Sequence, residues 1–101
     1  MATVRGVVNF RVKPGRYADL YEGLKAVKKL IEGLGAAFVV SRQVIGSESG
    51  NVIVVAVYKD YAGYAKVASD AAFSELINTM INNPNPAWEG YTVSLNEEVA
   101  L

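Results

Sequence analysis

The run Val52-Ile53-Val54-Val55-Ala56-Val57-Tyr58 is apolar at every position and rich in β-branched residues, and it constrains the fold more than any other segment. It is too short to cross a bilayer, which takes about 20 apolar residues, and β-branched side chains pack well on a pleated surface. Successive strand residues point to opposite faces, so a strand apolar throughout is buried on both sides and lies centrally in its sheet. Whatever covers one face, something else must cover the other.

The flanking segments supply the rest of the sheet and its helices. From Thr3 to Val12 the chain alternates, with Val4, Gly6, Val8, Phe10 and Val12 on one side and Arg5, Val7, Asn9 and Arg11 on the other. Lys13-Pro14-Gly15 ends that strand. Between Arg16 and Leu34, Tyr17, Leu20, Leu24, Val27, Ile31 and Leu34 recur at helical period, and Gly35 sits where a left-handed cap is expected. Ala36 to Ile45 reads as a strand that returns through the polar turn Gly46–Asn51 into the central run. Asp60 is placed to cap a helix over Tyr61–Ala68, and Ser69 or Asp70 to cap its continuation, which turns Phe73, Leu76, Ile77 and Met80 inward. Asn82-Asn83-Pro84-Asn85-Pro86 stops helical structure before a last strand, Trp88 to Glu97. There Tyr91, Val93 and Leu95 share one face and Trp88, Gly90, Thr92, Ser94 and Asn96 the other.

This β-α-β-β-α-β order, with right-handed crossovers, is ferredoxin-like: an α+β fold with a four-stranded antiparallel sheet and its helices on one face. The second and fourth strands are expected at the edges, and the first and third side by side and parallel. Residues 1–101 are expected to form one domain, a size that buries roughly 60 to 70% of the unfolded chain's surface. The uncovered face then presents Val54, Ala56 and Tyr58, or their neighbours one residue along. Leaving it in water forfeits several kcal/mol at roughly 25 cal/mol per Å², so pairing of two copies as a homodimer is expected.

Composition excludes more chemistry than it suggests. The chain has no cysteine and no histidine, which removes disulfides, thiolate nucleophiles, thiolate metal sites and Ser-His-Asp catalysis within one chain. Net charge is zero, with 51% apolar and 20% charged residues, so neither nucleic-acid binding through bulk charge nor disorder is expected. The charges are uneven: Met1–Arg42 carries eight Lys/Arg against Asp19, Glu22 and Glu32, whereas the remainder is acidic. No segment has the length of a membrane span or the apolar core of a secretory signal, and a cytoplasmic protein is the expectation.

The junction Val7-Val8-Asn9-Phe10-Arg11-Val12-Lys13-Pro14-Gly15, the junction Val54-Val55-Ala56-Val57-Tyr58-Lys59-Asp60 and the segment Ala71-Ala72-Phe73-Ser74-Glu75-Leu76 resemble the dimeric alpha+beta barrel superfamily. That group contains antibiotic-biosynthesis-type monooxygenases and NIPSNAP-like and EthD-like proteins. The resemblance implies a homodimer with sheets packed face to face and a cleft for a small aromatic or isoprenoid-like molecule. Some members are oxygenases without a cofactor and others bind haem through a histidine. This chain lacks that histidine, so no cofactor is expected. Asn9 is the one position that maps onto the polar strand residues of the quinol-oxidising members.

Two functions follow as expectations: a non-enzymatic or small-ligand-binding dimeric module, and a cofactor-independent monooxygenase-like enzyme acting on a small aromatic or quinol. The candidate ligand site gathers Asn9, Arg11, Trp88 and Thr92 on the mixed faces of the first and last strands. Arg and Asn offer fixed donors there, and Trp88 offers apolar area. The reading preferred for Arg5 and Arg11 is that they pair with acids such as Glu89 or Glu97 on the last strand, or sit in solvent. A one-residue bulge in either strand would reverse the facing on which this site depends.

Overall fold

Alternation along the first strand decides which way the sheet faces, because one side of it carries Arg5, Asn9 and Arg11 and the other is apolar. The computed structural model describes residues 2–101. Its elements, in chain order, are β1 (Val4–Val12), α1 (Tyr17–Gly33), β2 (Ala37–Arg42), β3 (Val52–Tyr58), α2 (Tyr61–Ala68), α3 (Ala71–Ile81) and β4 (Trp88–Glu97). The strands form one sheet in the order β2-β3-β1-β4, and each neighbouring pair is antiparallel. The ferredoxin-like α+β fold expected of this order of elements is the one the chain adopts.

β1 and β3 lie side by side as expected, but they run antiparallel. The crossover through α1 sets β2 in the same direction as β1, and the hairpin then reverses β3 against both.

Pairing with β1 also fixes the phase of β3. Val4 lies opposite Tyr58, Gly6 opposite Ala56, Val8 opposite Val54 and Phe10 opposite Val52. The apolar side of β1 meets the helices, so Val52, Val54, Ala56 and Tyr58 are buried in the same core as Leu20, Leu24, Val27 and Ile31 of α1. The expectation that Val54, Ala56 and Tyr58 form a subunit interface is therefore overturned. Ile53, Val55 and Val57, one residue along, face away from the helices beside Val7 and Val39, and all five keep accessible surface. The Cα framework is only 17 Å deep in its thinnest direction, the depth of two layers, so none of the described residues forms a layer over this second face.

Local chemistry ends the elements where the sequence marks them. Gly35 adopts φ 92°, and its N–H donates to the Glu32 carbonyl at 3.0 Å while that of Ala36 donates to Ile31 at 3.2 Å, closing α1 with a left-handed cap. The Asp60 carboxylate accepts from the Gly63 N–H at 2.8 Å, and that of Asp70 accepts from Phe73 at 2.9 Å. Asp70, not Ser69, caps the continuation, which is a separate helix.

β2 stops earlier than its apolar sequence suggests. Gln43 exchanges backbone hydrogen bonds with Asn51 and Gly50, and its side-chain carbonyl accepts from the Glu48 N–H at 2.7 Å. The hairpin closes there, and Val44 and Ile45 are left in the loop, 77% and 92% exposed.

β4 pairs with β1 in regular register from Glu97 to Gly90, and then Val12 faces Trp88 with Glu89 left over. That bulge reverses the facing of Trp88.

Asp60→Ala and Asp70→Ala should each lower stability by about 1 kcal/mol, because each leaves a helix N–H without its acceptor. Urea denaturation of the two variants measures this, and an unchanged midpoint for either would show that its cap contributes nothing.

Candidate functional site

Helix α1 buries four residues against the sheet, whereas α3 buries none completely. Phe73, Ile77 and Met80 point inward from α3, but the sheet beneath them carries the smallest pair in the fold, Gly6 opposite Ala56. Large side chains above a small floor leave a cavity of about 250 Å³ between the helical layer and the sheet. Its walls include Leu24, Val27, Phe38 and Val54, and no charged side chain lines it. The helices stop short of β4, so Val93 and Leu95, on the same side of the sheet, remain 67% and 45% exposed beside the cavity.

The polar side chains on the cavity side of the sheet are those of Tyr58 and Tyr64. Tyr58 is 5% exposed, and its ring meets that of Tyr64 edge-on at 5.4 Å. Burial, and secondarily the neighbouring Tyr64 phenol, push the Tyr58 pKa up from its ordinary value. It is therefore a neutral hydroxyl at physiological pH, fitted to donate a hydrogen bond and unsuited to act as a base. The Tyr17 hydroxyl donates to the Gly50 carbonyl at 2.6 Å and that of Tyr61 to Glu97 at 2.6 Å. The Tyr58 hydroxyl has no such partner among the described residues, and it retains accessible surface.

On the opposite face of the sheet lies a shallower polar depression of about 210 Å³, lined by Asn9, Arg11, Glu48, Asn51 and Thr92. Asn9 sits across from Thr92, and its carbonyl oxygen accepts from Asn51 at 2.9 Å, an amide that also reaches Glu48 at 3.0 Å. Arg11 lies over Gly90 and pairs with Glu89 at 3.3 Å, while Arg5 pairs with Glu98 at 3.4 Å. Both pairs are solvent-exposed and contribute little to stability.

The structure thus brings together three of the four residues read as a ligand site. Trp88 is not among them: the bulge puts it on the helix side, 5.2 Å from the Phe10 ring and 6.1 Å from that of Tyr91. The larger apolar cavity lies on the helix side of the sheet and not on the mixed faces where the ligand site is expected, and a glycine inside the alternating strand Val4–Val12 is its trace in the sequence. Among the described residues, no group of three acidic, histidine or cysteine side chains gathers to hold a metal ion, and no helix is long and apolar enough to cross a membrane.

No family model matches the chain, and neither does any curated protein. Solved structures do. The Arabidopsis thaliana protein At3g17210 superposes with a TM-score of 0.76 at 14% identity, covering 97% of this chain and 97% of its own. SnoaB, a cofactor-independent oxygenase from Streptomyces nogalater, gives 0.75 at 13% identity, with 98% of this chain and 95% of its own covered. A dabb family protein with a ferredoxin-like fold from Mesorhizobium loti gives 0.72 at 16%, with 99% and 100% covered. The chain therefore has the ferredoxin-like fold of these neighbours, consistent with the resemblance that its strand-to-helix junctions bear to the dimeric alpha+beta barrel superfamily.

The raised Tyr58 pKa has a stability consequence. Above about pH 10 the unfolded chain has lost a tyrosine proton that the folded chain still holds, so the native state binds more protons and stability falls as pH rises. Tyr61, hydrogen-bonded to Glu97, is shifted in the same direction. Tyr58→Phe should make the fall shallower without abolishing it, measured by urea denaturation between about pH 9 and about pH 11. An identical slope in wild type and variant would show that Tyr58 does not titrate differently on folding.

Proposed function

We propose that the protein is a ligand-binding module that takes a small, neutral, largely apolar molecule into the cavity between its sheet and helices. Two copies associate through the open face of the sheet. The observation that carries the first statement is the cavity itself: about 250 Å³ of apolar-walled space, with tyrosine hydroxyls as its main polar groups. Small-molecule sites have this character, apolar walls with a few orienting polar groups. The second statement rests on Val7, Val39, Ile53, Val55 and Val57, a contiguous aliphatic surface on a sheet whose other face is already covered. Asn9, Arg11 and Thr92 then lie on the polar flank of the subunit interface.

The resemblance to cofactor-independent oxygenases, SnoaB among the structural neighbours, supports enzymatic oxygenation of a small aromatic as the alternative. Activating a phenol or quinol towards oxygen requires taking its proton. The cavity walls hold no carboxylate, lysine or arginine, and Tyr58 holds its own proton more tightly than usual. Binding without turnover fits these walls better.

Light scattering should give twice the 10.9 kDa chain mass at micromolar concentration. Val55→Asp should weaken association by about 100-fold or more, because the interface would bury an unpaired carboxylate, while the circular-dichroism spectrum stays unchanged. A wild-type monomer at high concentration would refute the assembly. Equilibrium dialysis against 1-naphthol tests the cavity, with saturable binding expected at one molecule per chain.

A further inference from the structure

Gly6 lies in the interior of β1, a central strand bonded on both sides, where glycine weakens a sheet by its backbone entropy and its missing side chain. Four other glycines have a positive φ that explains them; Gly6 does not. Crowding does not explain it either. A Cβ built on Gly6 would come no closer than 3.6 Å to Tyr58 Cε2 and 3.9 Å to its hydroxyl, which is ordinary van der Waals contact. The fold of this chain would accept alanine there. What the missing side chain leaves is a low floor to the apolar cavity, opposite Ala56 on one neighbouring strand and Leu95 on the other, with the Tyr58 ring against one side of it. Glycine inside a strand often marks a place where a ligand approaches the backbone closely. An independent observation points the same way: Tyr58, 5% exposed, holds beside Gly6 a hydroxyl without a partner among the described residues.

We propose that Gly6 is a specificity-determining position, its side-chain-free backbone being part of the surface against which a flat, neutral ligand lies, with the Tyr58 hydroxyl as the hydrogen-bond donor beside it. The inference rests on the cavity-binding reading above and adds to it the shape and polarity of what is bound. A flat molecule can lay a whole face on this floor beneath Phe73, Ile77 and Met80, which line the same cavity, whereas a globular one touches it over less of its surface. A carboxylate or ammonium is excluded, because no countercharge lines the walls and desolvation of an unpaired ion is costly.

Equilibrium dialysis of 1-naphthol, naphthalene and the globular alcohol 1-adamantanol against wild type, Gly6→Ala, Gly6→Val and Tyr58→Phe tests this. Wild type should bind 1-naphthol at least tenfold more tightly than 1-adamantanol. Gly6→Ala should weaken 1-naphthol several-fold and Gly6→Val tenfold or more, while the unfolding midpoint of Gly6→Ala stays at or above that of wild type, since its methyl makes only ordinary contact with Tyr58. A lost recess, unlike a damaged fold, weakens binding without lowering stability. Should Gly6→Val fail to fold, Gly6→Ala, whose added methyl makes only ordinary contacts, carries the test. Tyr58→Phe should weaken 1-naphthol by about tenfold, one hydrogen bond, and leave naphthalene unchanged. Folded Gly6 variants that bind 1-naphthol as wild type does would overturn the role of Gly6 and leave the cavity reading standing. Failure of wild type to bind any of the three compounds would instead bring down the cavity reading, and this inference with it.

Discussion

The register of β1 between its two partners is the constraint on which the rest of the molecule depends. Because β1 is bonded on both sides, one choice of register aligns Leu95, Gly6 and Ala56 on the helix side and Thr92, Asn9 and Ile53 on the other. A slip of one residue would exchange the two sets, driving Arg5 and Arg11 under the helices and exposing Val4 and Phe10. The cost of burying those guanidiniums holds the register, and the register in turn puts the smallest residues of the sheet beneath α3. The cavity is a consequence of sheet pairing as much as of helix packing.

Where a segment alternated sharply, its structure was legible in the sequence. β1 separates its charged and apolar faces as read, the Leu20-Leu24-Val27-Ile31 stripe is the buried face of α1, and Asp60 and Asp70 cap the helices that follow them. β3 was legible as a strand but not as to its facing, since a run apolar at every position carries no alternation from which to choose. Only β1 could settle that choice. Trp88 was misplaced for a related reason: Glu89 is an unremarkable surface residue, and nothing in its chemistry announces that it stands outside the ladder. Val44 and Ile45 look like strand residues, and the bonds that close the hairpin at Gln43 involve backbone partners that composition does not reveal.

The uneven charge of the two halves finds part of its use at the β1–β4 seam, where Arg5 meets Glu98 and Arg11 meets Glu89. These exposed pairs add little stability, yet like charges at the same places would oppose the pairing of the first strand with the last. They also mark a division of labour on β4. Its helix side is apolar next to the cavity, its outer side is polar along the seam, and the strand therefore borders both candidate surfaces without lying at the centre of either.

The seam between β1 and β4 also bears on how the chain reaches its fold. Arg5 and Glu98 are 93 positions apart, so the contact that completes the sheet joins the two ends of the described polypeptide. Until β4 arrives, β1 is an edge with unpaired backbone donors and acceptors, flanked by the most apolar strand in the protein. Such distant pairing must overcome loop-closure entropy before it gains any contact energy, which makes folding slow relative to helical proteins of equal size. On the ribosome, where β4 emerges after the other three strands, the unfinished edge persists until β4 has been synthesised. Throughout that interval, docking on the wrong strand competes with correct closure.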